Sequence, residues 1–226
     1  MGGMRFFTMV GLVTAMTATA CTGPTSPASP TSLISPISPI SPTVPTSPVT
    51  AGQCVAPANA VEQDASSRDS PEKPWPHSPG TEVTVNFETH GLSNRYADLV
   101  RNATGIWSQS PCIQAVPVST CPPDTNCVVL QEKLSSNDRG TDGEFRGSDR
   151  GTYREGGTIT LYTGLLDRAS DNGALATIVH EMGHALGLVH RRAKTSVMNS
   201  STNDNTNPVP DDVDFANLLA IYGRQQ

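Results

Sequence analysis

The pattern of apolar and polar positions divides the chain into three stretches. Phe6 to Ala20 is apolar or small and carries no charge. Residues 22–50 are a low-complexity run of Pro, Ser and Thr. From Gln53 onward the pattern is that of a folded domain. Thr81 to Thr89 alternates Val83, Val85 and Phe87 with polar neighbours, which predicts a half-buried strand. Ser93 to Ser108 predicts a helix, with Tyr96, Leu99, Val100, Ala103, Ile106 and Trp107 on one face, Ser93 as N-cap and Pro111 as the stop. Ile113 to Val118, Cys127 to Leu134 and Thr158 to Thr163 read as further strands. Gly173 to Leu186 reads as a helix after the cap candidates Asp171 and Asn172. Asp211 to Tyr222 reads as the last helix, with Val213, Phe215, Leu218, Leu219, Ile221 and Tyr222 available for burial. Residues 54–80 are polar and proline-rich, hence loop. Residues 135–157 are rich in Asp, Gly, Ser and Arg, and are expected to form a long surface loop.

One run carries chemistry: His180-Glu181-Met182-Gly183-His184-Ala185-Leu186-Gly187-Leu188-Val189-His190. Residues four apart share a helix face, so His180 and His184 can hold one metal ion. Glu181 lies beside the first ligand and is free to act on water. Gly187 admits a backbone conformation that closes the helix sharply. The turn then returns His190 as a third ligand. Three imidazoles leave a fourth position open on zinc, the arrangement of a catalytic rather than a structural site. Ala174, Leu175, Ala176, Ile178 and Val179 make the helix apolar, so a buried helix would hold two ligands rigidly.

These residues resemble the extended zinc signature of the metzincin metallopeptidases. Ser196-Val197-Met198-Asn199 looks like the methionine turn of that family. Within it the chain is most similar to the matrixins. Ile106-Trp107-Ser108, the strand at 158–163, and Asp211-Asp212-Val213 leading to Ile221-Tyr222-Gly223 extend the likeness over roughly residues 80–226. The resemblance implies an α/β (α+β) zincin-like domain: a small twisted mixed sheet, an active-site helix, a C-terminal helix, and a cleft between the sheet part and a smaller part after Gly187. It implies His180, His184 and His190 as ligands, Glu181 as general base, and Thr158–Thr163 as the strand beside the cleft. There are departures. Arg191 follows the third histidine, where matrixins usually carry Ser, astacins Glu and adamalysin-like enzymes Asp. No Tyr follows Met198 at the astacin position, and no cysteine-switch motif or His-rich segment for a second zinc is present. His77 and His90 read as surface residues and Trp107 as core.

Composition adds the setting. The net charge of −6 gives no basic stripe, so no nucleic-acid partner is expected. Arg5, the Phe6–Ala20 stretch and Ala18-Thr19-Ala20 read as an export signal over residues 1–20. Cys21 follows at once and resembles a lipidation site, although Ala18 stands where a lipoprotein box usually has Leu. The alternative is simple cleavage leaving a free thiol. Residues 21–52 then form a lipidated Cys and tether. Prolines at 24, 27, 30, 36, 39, 42, 45 and 48 suit a polyproline II spacer on the order of 80–90 Å long. A glycosylated stalk or partner-binding segment is the other reading. The peptidase domain occupies 53–226. Setting Cys21 aside leaves Cys54, Cys112, Cys121 and Cys127, enough for two disulfides in an oxidising compartment, with three connectivities open. Asp138, Asp142, Glu144, Asp149 and Glu155 are candidate calcium ligands or simply a solvated loop.

The expected activity is that of an extracytoplasmic, monomeric zinc endopeptidase acting on proteins or peptides, by a zinc-bound water activated by Glu181. The expected membrane contact is only through an anchor at Cys21. Two other classes stay open: a zinc-binding surface lipoprotein with little turnover, and a metal-dependent hydrolase of a non-peptide bond.

Overall fold

A computed structural model of the protein describes residues 53–66, 72–136, 138 and 140–223. The export signal, Cys21 and the tether lie outside these residues. The elements are β1 (Val83–Gly91), α1 (Asn94–Trp107), β2 (Ile113–Val118), β3 (Cys127–Lys133), β4 (Gly143–Arg150), β5 (Tyr153–Tyr162), α2 (Thr163–Leu166), α3 (Asp171–Ala185) and α4 (Asp212–Tyr222).

The five strands form one mixed sheet in the order β2-β1-β3-β5-β4. All neighbours run parallel except β4, which is antiparallel to β5 at the edge. Parallel neighbours need a crossover, and α1 supplies it between β1 and β2. The alternation in β1 behaves as expected: Val83, Val85 and Phe87 are buried. They meet the apolar face of α1, where Tyr96, Leu99, Val100, Ala103 and Trp107 are buried. Behind α1 lies α3, whose residues from Gly173 to Ala185 are almost all buried. Trp107 is core, as read: its Nε1 donates to the Val179 carbonyl at 3.0 Å, joining the two helices. No helix among the described residues is long and apolar enough to cross a membrane.

One region differs from the sequence reading. Residues 135–157 are not a long loop: most of the stretch is β4 and the first half of β5, a hairpin turning at Gly151. The polar composition concealed it because β4 is an edge strand and is mostly solvated from Arg146 to Arg150. Its inward side is closed by Arg154 of β5, which is buried with its guanidinium 4.6 Å from the centre of the Phe145 ring. Gly147 makes that possible, because a Cβ there would lie 1.6 Å from Arg154 Nη1. Among residues 54–80 the described ones are loop, as expected: they hold no strand or helix, and they form a packed arm. Cys54 and Trp75 are fully buried, Trp75 Nε1 donates to the Ala185 carbonyl at 2.8 Å, and its backbone N donates to Tyr222 Oη.

The disulfides are Cys54–Cys112 and Cys121–Cys127. The first ties the arm to the start of β2. The second closes the short link between β2 and β3 around Pro122 and Pro123.

Candidate metal centre

Helix α3 begins at a cap that seats it firmly. Ser170 Oγ accepts from the Gly173 N–H, and Asp204 accepts from both the N–H and the hydroxyl of Ser170. At the other end the helix closes at Gly187, whose φ of 100° is a conformation that glycine adopts without strain. The Leu188 N–H then donates back to the Gly183 carbonyl at 3.0 Å, which turns the chain towards His190. His180 and His184 stand one turn apart on α3, and His190 comes from the turn.

The three side chains meet. His180 Nε2 lies 3.1 Å from His184 Nε2 and 3.2 Å from His190 Nε2, and the last two are 3.2 Å apart. The outer nitrogens fix the tautomers. His180 Nδ1 donates to the Val197 carbonyl at 2.7 Å, and His184 Nδ1 donates to the Leu188 carbonyl at 2.8 Å. A carbonyl only accepts, so each Nδ1 carries the hydrogen and each Nε2 points a lone pair at the same spot. Converging lone pairs repel unless a cation lies between them. Nitrogens about 2.0–2.1 Å from a tetrahedral zinc ion stand roughly 3.3–3.4 Å apart, so the spacing here suits that ion. Among the described residues this is the one group of His, Cys, Asp or Glu placed to hold a metal. Burial pushes His180 down to about 4, with the neighbouring His190 acting in the same direction. Burial likewise holds His184 well below its ordinary value, reinforced by the other two imidazoles. Both are therefore neutral, the ligand form.

Met198 packs against α3 at Gly183, next to His184. It is fully buried, and a Cβ on Gly183 would meet its Sδ at 2.3 Å, so the glycine within the motif leaves room for the methionine. Ser196 Oγ accepts from the Met198 N–H at 3.0 Å and donates to Asp214 of α4.

Glu181 is buried beside the triad and lines an open cleft of about 590 Å³. Burial raises its carboxyl to about 8, Asp142 adds to the rise, and the Phe145 N–H opposes it. A dication at the triad would pull it down again. The cleft runs between β4 (Gly143, Glu144, Phe145) and the chain at Val189, His190, Ser200, Ser201 and Thr202. This matches the expected cleft between the sheet and the part after Gly187. The strand beside it is not the expected Thr158–Thr163. Residues 158–162 belong to β5, one strand further in, Thr163 opens α2, and β4 takes the edge. Gly143 lets β4 come close, since a Cβ there would lie 2.7 Å from Thr177 Cγ2 and 2.9 Å from Glu181 Cγ.

The five candidate calcium ligands are not gathered into one cluster among the described residues, and four of them have other partners. Asp142 accepts from Thr177 Oγ1, Glu144 is held by Arg146 and Tyr162 Oη, Asp149 pairs with Lys73 and Arg154, and Glu155 pairs with Arg150. None of them joins a cation-binding group among the described residues. His90 is exposed. His77 packs edge-on against Tyr222 with ring centres 5.0 Å apart, away from the triad. Sequence reading missed Glu72, which lines the cleft, because it lies in the arm with no periodicity around it. It also missed β4, whose one apolar signal was Phe145.

The matrixin family model matches residues 88–223. The chain belongs to the matrixin family. The matrixin match runs from Glu88, within β1, to just past the end of α4, and takes in the histidine triad, Glu181 and the turns described above. It supports a metzincin-like zinc peptidase domain and begins after the arm. No curated protein matches this matrixin chain. Among solved structures, the crystal structure of archaemetzincin from Methanopyrus kandleri is similar at 12% identity, covering 63% of this chain and 97% of that one, with a TM-score of 0.47.

Proposed function

We propose that this matrixin is a zinc endopeptidase that hydrolyses proteins or peptides outside the cytoplasm, with His180, His184 and His190 holding zinc and Glu181 as general base. The observation that carries the reading is the convergence of three Nε2 lone pairs beside a buried carboxylate that faces an open cleft. Zinc in that position supplies Lewis acidity, which acidifies water and polarises a carbonyl. Glu181 takes the proton of the attacking water on its carboxylate and passes it to the leaving amine. The Phe145 N–H holds that carboxylate in place from β4. The free edge of β4 offers main-chain donors and acceptors to an extended substrate, so backbone pairing binds and side-chain pockets select. Gly143 keeps that edge within reach of Glu181.

Export by residues 1–20, anchoring through Cys21 and spacing by residues 22–50 belong to the same proposal. They rest on the apolar Phe6–Ala20 stretch, the placement of Cys21 and the proline period. A Cys21→Ser variant is expected to leave the membrane fraction while keeping its activity.

The deciding experiment is digestion of an unfolded protein by the wild type, by Glu181→Ala and by chelator-treated enzyme, with zinc content measured alongside. The wild type is expected to cut, and Glu181→Ala to keep zinc while losing on the order of 10²–10⁴-fold in rate. Bound zinc with no cleavage of any protein or peptide would turn the reading towards a zinc-binding surface protein. Turnover of an ester or amide without peptide cleavage would turn it towards another hydrolase.

A further inference from the structure

The family match starts at residue 88, yet the arm before it reaches the metal centre. Its path is built from hydrogen bonds. Cys54 is bonded to Cys112, and the Ala56 N–H donates to the Gly223 carbonyl at 2.9 Å. Gln63 exchanges two hydrogen bonds with the Asn217 side chain, at 2.7 and 3.1 Å. Ala65 then forms an antiparallel bridge with Arg191, and the Ser66 N–H donates to the carbonyl of His190 at 2.8 Å. The arm therefore ends this stretch on the backbone of the third candidate ligand.

Asp64 sits at the centre of the contact. Its φ of 56° is left-handed, a conformation Asp tolerates better than most residues, and it turns the carboxylate towards the loop after His190. There the carboxylate accepts from the Ala193 N–H at 3.0 Å and from Arg192 Nε at 3.3 Å, and it lies 3.4 Å from Arg191 Nε. Arg191 is 5% exposed, and its other end reaches Asp211 at 2.5 Å and Asp214 at 2.8 Å. Its backbone is held as well. The Arg191 N–H donates to the Met198 carbonyl at 2.7 Å, and Asn199 Nδ2 donates to the Arg191 carbonyl at 3.1 Å. One residue past His190, the arm and α4 are thus tied to the side chain of Arg191, and the methionine turn to its backbone.

The ligands differ in what places them. His180 and His184 ride on α3, so the helix sets their spacing. His190 follows the turn and takes its place from whatever holds residues 190–192. We infer that residues 54–66 are a working part of the metal centre, with Asp64 acting through the buried Arg191 as a positioning residue for His190. The inference rests on the reading that the three histidines hold zinc. It assigns a purpose to the arginine that replaces the Ser, Glu or Asp common at this position in related peptidases.

The test compares the full wild-type chain with Asp64→Asn, Arg191→Lys and the double variant. Zinc dissociation constants come from competition with a chromophoric chelator, and the coordination geometry from the visible spectrum of the Co²⁺ form. Asp64→Asn keeps an acceptor for Ala193 and removes only the charge, so folding is retained. It is expected to weaken zinc on the order of tenfold, the low end of what outer groups around a metal contribute, and to shift the Co²⁺ bands. Arg191→Lys cannot span Asp64 and α4 at once and is expected to weaken zinc similarly. The double variant is expected to be no weaker than the worse single one, because both act through one contact. If Asp64→Asn leaves zinc affinity within twofold and the spectrum unchanged, the inference is overturned, even if the metal-free protein melts earlier. If the wild type itself takes up neither zinc nor Co²⁺, the proposed function falls and the inference with it.

Discussion

Each wall of the cleft is backed by a buried arginine, and the two are built differently. Arg154, on the β5 side, is 1% exposed and faces Glu72 and Asp149, which are 30% and 32% exposed. Arg191, on the C-terminal side, faces Asp214, which is fully buried. Both arginines also reach the arm, Arg154 through Glu72 and Arg191 through Asp64. The difference is the environment of the acid. Water can solvate Glu72 and Asp149 if their partner goes, but it cannot reach Asp214. Burial raises the Asp214 carboxyl, and Arg191 offsets only part of that rise. A buried ion pair stabilises little by itself, but half of one is strongly destabilising. The wall that carries His190 is therefore the one made intolerant of disturbance.

The largest expected effect follows directly. Arg191→Met leaves Asp214 charged and unpaired, and should cost about 3–5 kcal/mol in urea unfolding of the metal-free protein. A loss under 1 kcal/mol would mean that Asp214 is neutral or solvated, and the contrast between the walls would collapse. The next effect concerns the anchor of the arm. Cys54–Cys112 closes 58 residues and Cys121–Cys127 closes 6. Chain entropy then assigns roughly 4 kcal/mol to the first and roughly 2 to the second. Paired Cys→Ser variants, compared by thermal melting, should keep that order, and the reverse order would mean the arm holds without its staple. Arg154→Met should cost less, about 1–3 kcal/mol, because Glu72 and Asp149 keep water when the guanidinium's bonds to them and its contact over Phe145 are lost. Since β4 is the proposed substrate edge, its signature should be a raised KM with zinc affinity unchanged. A loss of zinc would place Arg154 with Arg191 instead.

The smallest effect is a pH slope. Burial holds His180 at about 4 in the folded metal-free chain, below its unfolded value of 6.5. Between these values the unfolded chain binds the extra proton and the folded chain does not. The His180 contribution to stability is fully present above about pH 6.5 and is lost as pH falls towards 4. Glu181, raised to about 8, works in the opposite sense in the metal-free chain, so the measurement uses Glu181→Gln. Urea midpoints of that metal-free variant at pH 7.5 and 5.0 should fall in that order, and equal midpoints would mean that His180 titrates freely.

The legible and illegible parts divide along physical lines. Strand β1, helix α1 and strand β2 were readable within a residue or two, because each buries one face and repeats with its own period. The triad was readable because its spacing within 180–190 is local: a helical turn, a glycine and a short return. Strand β4 was not, because its burial depends on Arg154, a residue of the neighbouring strand tucked into the space left by Gly147. No period in residues 143–150 reports that. The arm read as loop for a related reason. It has no backbone ladder of its own, and its order comes from Trp75, Cys54 and Asp64 docking onto partners far away in the chain.

The sequence by itself determined the histidine triad, the glutamate beside it, the order of most elements and the family. These follow from contacts between residues close in sequence, whose geometry a helix or a strand prescribes. Only the tertiary structure decided which strand forms the cleft edge, how the cysteines pair, what surrounds Arg191 and how the arm reaches His190. Those depend on contacts such as Ala65 with Arg191 and Gln63 with Asn217, well over a hundred residues apart. Neither partner's local pattern carries information about the other until the chain has folded.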